Sequence, residues 1–204
     1  MRASATDQVR DGVAAPPRRG RLRPVLAPLG GAAATALMAA VCISVPAALA
    51  WWTDRPLVFP SLGPTIFLAL TSPFAEPSCP RNTLLGHLVS AAAGYAALVC
   101  AGLTRTPPDL LHPDARRILA VAIALGLTCA GMAAPWTRHP PGGATTLIVA
   151  LGLLRTPAQL LDLMAAIVLT SALLVVLNRL AGRPCPWWRP SPARREGRPE
   201  RTGR

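Results

Sequence analysis

The chain has 204 residues, 51% of them apolar and only 15% charged. That excludes intrinsic disorder, which needs low hydrophobicity, and argues against a soluble domain, where about a quarter of residues carry charge. The formal charge is +12, with 21 arginines and no lysine, and most of it lies at the two ends around a greasy middle.

Residues 1–24 hold six arginines and a Pro16-Pro17 pair, and eight more arginines follow residue 178. No basic stripe with interleaved aromatics joins them, so a nucleic-acid partner is not expected. The positive-inside rule reads both ends, 1–24 and 182–204, as disordered cytoplasmic tails. The apolar run after residue 24 is too long for a signal-peptide core.

Residues 25–181 form the membrane domain. Crossing a bilayer takes about 20 apolar residues. The runs 25–53, 82–104, 118–137 and 156–177 meet that length, the last with a single Asp162 near its start. Two further apolar stretches are broken. Residues 57–75 contain Pro60, Gly63, Pro64 and Pro73, and the stretch from His139 opens with Pro140, Pro141, Gly142 and Gly143. Each reads as an extended lead followed by a short helix, 65–70 in the first and 144–154 in the second, because proline suits the first helical turn.

The predicted fold is therefore an all-α membrane protein. It has four transmembrane helices plus two Gly/Pro-broken short helical segments, with an internal two-fold repeat as a further expectation. A shift of 80 positions superposes Pro60 on Pro140, Gly63 on Gly143, Thr65 on Thr145 and Pro77 on Pro157, and brings Asn82 onto Asp162. Paired broken segments in two halves point to a transporter's binding site. Topology has two solutions. Re-entrant broken segments give four spans, and crossing segments give six; the arginine distribution favours four. Both leave the two termini inside.

Candidate substrate-binding residues follow from the breaks. A helix start has amides without intrahelical partners and favours an anion. His139, Pro140, Pro141, Gly142, Gly143 and Thr145 would build one such start, and Ser61, Gly63, Pro64 and Thr65 the other. Asn82 and His87 add polar groups at the start of the second long helix, where polar side chains at membrane depth are functional hypotheses. Asp162 is interfacial or pairs with Arg155. For each residue the competing account is structural, a buried turn or a helix–helix hydrogen bond.

No carboxylate pair shares an apolar segment, and hydrolase, phosphate-loop and dinucleotide motifs are missing. The five cysteines have no CxxC or metal-ligand spacing. Neither an enzyme nor a cofactor or metal is expected.

The His139-Pro140-Pro141 motif opening a Gly/Ala/Thr-rich helix resembles the signature of the HPP family of integral membrane proteins. Pro60-Ser61-Leu62-Gly63-Pro64-Thr65, then Pro80-Arg81-Asn82-Thr83 and Gly86-His87, resemble that family's N-terminal half. The resemblance spans roughly 25–181. It implies four transmembrane helices and, from plant and cyanobacterial relatives, transport of nitrite. The expected function is a transporter or channel-like permease for a small solute, an anion such as nitrite. It would sit in a bacterial inner membrane with the lipid bilayer as its surroundings, as a homo-oligomer. The alternative is a non-transporting membrane scaffold or accessory subunit, with basic tails that bind anionic lipid.

Overall fold

The computed structural model describes residues 29–134, 137–183 and 185–189. Residues 1–28, Pro135, Trp136, Pro184 and residues 190–204 lie outside that set, and with them the tail 1–24 and most of the tail 182–204. The described residues form six α-helices and one short turn of 3₁₀ helix, with no strand among them. In chain order the helices are α1 (Leu29–Thr53), α2 (Leu62–Thr71), α3 (Pro80–Cys100), α4 (Ala115–Gly131), α5 (Gly142–Ala150) and α6 (Pro157–Leu180); the 3₁₀ turn is Glu76–Ser78.

Three helices are long and apolar enough to cross a membrane: Gly31–Thr53, Pro80–Cys100 and Pro157–Leu180. At 1.5 Å per residue α3 is about 31 Å long, close to the hydrocarbon thickness. The run expected at 118–137 folds as the 17-residue α4, which starts three residues earlier and stops at Gly131. Asp114 sets that start by accepting the Arg117 amide at 2.7 Å, an N-cap that draws Arg116 and Arg117 into the first turn. The broken segments do end in short helices, α2 and α5, of ten and nine residues.

The chain is turned inside out relative to a soluble protein. Leu37, Phe67, Leu88, Leu119 and Leu161 face outward, whereas Thr65, Asn82, His87, Thr145 and Asn178 are buried. Outward leucines suit lipid tails, and inward polar groups must then bond one another. Exposed tryptophans mark both ends of the bundle, Trp51 and Trp52 in the last turn of α1 and Trp187 and Trp188 after α6. Membrane–water interfaces favour such rings.

Contacts define the two ends. At the first, Arg183 reaches Thr35 at 3.5 Å, the Arg81 amide bonds the Trp188 carbonyl at 3.0 Å, and Asn178 reaches the Ala69 carbonyl at 3.4 Å. At the second, Arg55 pairs with Asp162 at 2.8 Å, and Arg117 reaches the Ala150 carbonyl at 3.4 Å. Asp162 thus pairs with Arg55 across helices and not with its neighbour Arg155, whose amide bonds Gln159. Segment 55–71 runs from the second end to the first. Segment 132–150 returns from the first, where the Arg138 carbonyl meets Asn82, to the second.

Helix α5 lies in a groove of small residues on α3. A Cβ on Gly94 would sit 2.8 Å from Val149 Cβ, and one on Gly142 would sit 2.6 Å from Ser90 Oγ. Gly86, Ser90 and Gly94 recur every fourth residue, the spacing that lets membrane helices touch backbone to backbone. All five cysteines are free. Burial raises the pKa of the Cys79 thiol, which keeps it protonated and unreactive.

Candidate functional site

Two imidazoles meet where the broken segments cross α3. His87 is seven residues into α3, about 10 Å along it, and His139 lies in the turn before α5. Both are fully buried, their ring centroids are 4.8 Å apart, and the planes are inclined by 58°. Two imidazolium ions at that separation would repel by about 3 kcal/mol at an effective dielectric constant of ~20.

Hydroxyls link the rings. Thr65 Oγ1, from α2, lies 3.0 Å from His87 Nε2 and 3.2 Å from His139 Nε2. Thr145 Oγ1, from α5, lies 2.8 Å from His87 Nδ1. His139 Nδ1 lies 2.7 Å from the Pro77 carbonyl and 3.5 Å from Thr83 Oγ1.

The carbonyl decides the tautomers by network logic. A carbonyl only accepts, so His139 carries its proton on Nδ1 and Nε2 accepts the Thr65 hydroxyl. Thr65 oxygen then accepts from His87 Nε2–H, and His87 Nδ1 accepts the Thr145 hydroxyl. With the Thr65 proton on His139 Nε2, every donor points the same way, from Thr145 towards His139. The Ser61 carbonyl, 2.9 Å from Thr65 Oγ1, is a second acceptor for the Thr65 proton.

Close packing fixes this geometry. A Cβ on Gly86 would fall 2.5 Å from His139 Cβ and 2.9 Å from the Thr137 carbonyl. Only glycine there lets the His-Pro-Pro turn lie against α3.

The expected residues divide into groups. His87, His139, Thr65 and Thr145 come together as the cluster. Ser61 is fully buried beside it, and its Oγ has no hydrogen-bond partner among the described residues. Asn82 is buried next to Thr83, with Arg81 on its Oδ1 at 3.2 Å and its Nδ2 on the Arg138 carbonyl at 3.4 Å. Gly63, Pro64 and Pro140 are exposed away from the cluster, and Gly63 and Gly143 have open space where a Cβ would be. Pro141 and Gly142 are buried, and a Cβ on Gly142 would meet Met132 and Ser90.

The expectation of free amides at the start of α5 is not met. Gly142 N bonds the His139 carbonyl at 2.9 Å, Gly143 N the Pro140 carbonyl at 2.9 Å, and Ala144 N the Pro141 carbonyl at 3.1 Å. The tight turn before the helix consumes the donors that an anion would need. The polar chemistry of the site resides in side chains.

Sequence reasoning passed over Thr83 and the Thr128–Thr146 pair, whose hydroxyls are 2.7 Å apart between α4 and α5. Single threonines in apolar helices carry no pattern that distinguishes them. Arg117 was also missed. Its guanidinium is buried against the carbonyls of Ala150, Thr106 and Pro107, and no carboxylate pairs with it among the described residues.

Apolar helices long enough to span, lipid-ready outer faces and an inward polar cluster define a multi-pass helical membrane protein. Residues 21–186 match the family described as "HPP, transmembrane region", and the chain belongs to that family. Among curated proteins it is similar to two transmembrane proteins of Dictyostelium discoideum. One is 41% identical over 83 residues, covering 41% of this chain and 23% of that protein. The other is 36% identical over 87 residues, covering 43% and 26%. The aligned region spans about a quarter of those relatives. No solved structure matches the chain.

Proposed function

We propose that this protein is a transporter or channel-like permease for a small solute, with small anions such as nitrite as the substrate class. The observation that carries the reading is the position of His87. Its two ring nitrogens are held by Thr65 and Thr145, one from each broken segment, at places 80 residues apart in the chain. Polar groups gathered by broken helices inside a bundle are the usual make-up of a transport site.

The packing pattern supports a two-fold relation between halves. Exchange α1 with α4, α2 with α5 and α3 with α6. The contact of α1 with α2 becomes that of α4 with α5, α1 with α6 becomes α4 with α3, and α2 with α6 becomes α5 with α3. The α3–α6 contact maps onto itself, and these are all the substantial helix–helix contacts. That α1 and α4 run in opposite directions between the two ends supports reading the halves as an inverted repeat. Segments 55–71 and 132–150 then cross the membrane together with the four longer helices, giving six traversals. An even number keeps both basic tails on one side, which the positive-inside rule makes the cytoplasm of a bacterial inner membrane.

The mechanism follows from the closed, self-satisfied cluster. Parting α2 from α5 would release the hydroxyls of Thr65 and Thr145 and the His87 ring, which replace a solute's hydration. Rocking one half against the other would open the cluster alternately to each end. A homo-oligomer would thicken the wall around so small a bundle.

The test is nitrite uptake into proteoliposomes at alkaline pH, where little membrane-permeant nitrous acid exists, beside protein-free vesicles and the variants His87→Ala and His139→Ala. Saturable uptake lost in the variants supports the reading. Folded protein without uptake removes nitrite and favours the scaffold account. Uptake that survives both substitutions places the pathway elsewhere.

A further inference from the structure

We propose that Thr145, His87, Thr65 and His139 form a proton relay that discharges into a small cavity beside Thr83. The inference rests on the transport reading of the same site and adds the coupling ion to it.

Three observations carry it. First, the four side chains form an unbroken hydrogen-bonded chain of 2.8, 3.0 and 3.2 Å links. Its donors all face one way once the Thr65 proton turns from the Ser61 carbonyl, 2.9 Å away, to His139 Nε2, since the Pro77 carbonyl fixes the His139 tautomer. Second, the partners of the imidazoles are hydroxyls and a carbonyl: Thr65 from α2, Thr83 from α3, Thr145 from α5 and the Pro77 carbonyl before α3. The titratable group in contact with each histidine is the other histidine. Arg81 of α3 is turned onto Asn82, and Asp162 of α6 onto Arg55 at the far end. Among the described residues, no ion pair reaches either ring.

Third, the chain has an outlet. Thr83, whose Oγ1 is 3.5 Å from His139 Nδ1, also lines a cavity of about 20 Å³ with Ser78, Ser171 and Asn178, rimmed by Cys185 and Pro186. That is room for about one water molecule. Asn178 turns its amide nitrogen onto the Leu174 and Ala69 carbonyls. Its Oδ1 and the Ser171 Oγ have no protein partner among the described residues, although both side chains are more than nine-tenths buried. A cavity that holds buried, unbonded oxygens suits a water that passes protons.

The transfer balances. Thr145 is fully buried in the closed cluster; when the halves part and water reaches it, a hydronium ion gives a proton to Thr145 oxygen as the Thr145 hydroxyl proton moves to His87 Nδ1. The proton on His87 Nε2 moves to Thr65 oxygen, and the Thr65 proton moves to His139 Nε2. The proton on His139 Nδ1 turns from the Pro77 carbonyl to Thr83 oxygen, 3.5 Å away, as the Thr83 hydroxyl proton passes to water in the cavity. One proton enters, one leaves, and no group is oxidised or reduced. Turning the new Thr65 hydroxyl to the Ser61 carbonyl, 2.9 Å away, begins the reset.

The experiment uses the full chain in liposomes that enclose a pH-sensitive dye, with nitrite outside at alkaline pH and a potassium diffusion potential. Uptake and lumenal acidification are recorded together, with protein-free vesicles as background. The relay predicts acidification that accompanies uptake. Thr65→Val should lower it at least about tenfold, and Thr65→Ser, which restores a hydroxyl, should recover most of it. Melting temperature and elution volume check folding, and Thr145→Val gives the same test from the other end if Thr65→Val does not fold. Undiminished acidification in folded Thr65→Val overturns the relay, as does its loss in folded Thr65→Ser. Uptake without acidification overturns the relay and leaves the transport reading standing. Acidification that depends on Thr65 without nitrite uptake supports the relay and removes nitrite. Neither signal from folded wild-type protein overturns both.

Discussion

Thr65 and Thr145 stand 80 positions apart in the chain and hold opposite nitrogens of one imidazole, that of His87. Replacing Thr145 with valine keeps the branched shape and removes the hydroxyl. It should destabilise the protein by about 1–3 kcal/mol, the cost of leaving a buried polar atom unbonded. Thermal melting of the detergent-purified protein would measure this, and nitrite uptake should fall with it.

The glycines should separate sharply on substitution to alanine. Gly86→Ala places a Cβ against His139 and the Thr137 carbonyl, so the His-Pro-Pro turn must move. Overpacking of this kind costs about 1–3 kcal/mol or more. Gly143→Ala meets nothing within 4 Å and should be neutral or stabilising by up to about 1 kcal/mol, since alanine favours the helix. Equal melting temperatures for the two variants would refute the packing argument.

Arg117 closes the far end of α5. Its guanidinium bonds carbonyls of Ala150, Thr106 and Pro107, and a Cβ on Gly152, which has φ of +88°, would meet its Nη1 at 2.5 Å. Arg117→Met should cost roughly 2 kcal/mol or more, because bonds to charged groups are the stronger ones. Gly152→Ala should be damaging through both strain and contact. By contrast Arg55 is largely exposed in its pair with Asp162, so Arg55→Gln should cost less than about 1 kcal/mol. Urea or thermal unfolding of the three variants gives the order.

The path of segment 55–71 is open to a labelling test. Asp54 and Ser72 are both exposed at its two ends. In a background without native cysteines, Asp54→Cys and Ser72→Cys should react with a membrane-impermeant maleimide from opposite faces. Labelling from the same face would mean that the segment re-enters and would remove it from the six traversals.

The sequence by itself determined the membrane class and most of the helices, because an uncharged run of about 20 residues has no other stable home. The breaks were equally legible, since Pro64, Pro140 and Pro141 restrict the chain through covalent geometry that acts locally. The start of α4 was misjudged because the uncharged run stops short of Arg116 and Arg117. Burial of Arg117 against distant carbonyls brings them into the helix.

Tertiary structure alone decided the site. His87 and His139 are 52 positions apart, and nothing local says that their rings touch; the small side of α3 at Gly86 makes it so. The same packing spent the α5 amides on the turn carbonyls and set the course of the broken segments between the ends. Each of these outcomes depends on contacts between residues far apart in the chain, whose energies no run of neighbouring residues contains.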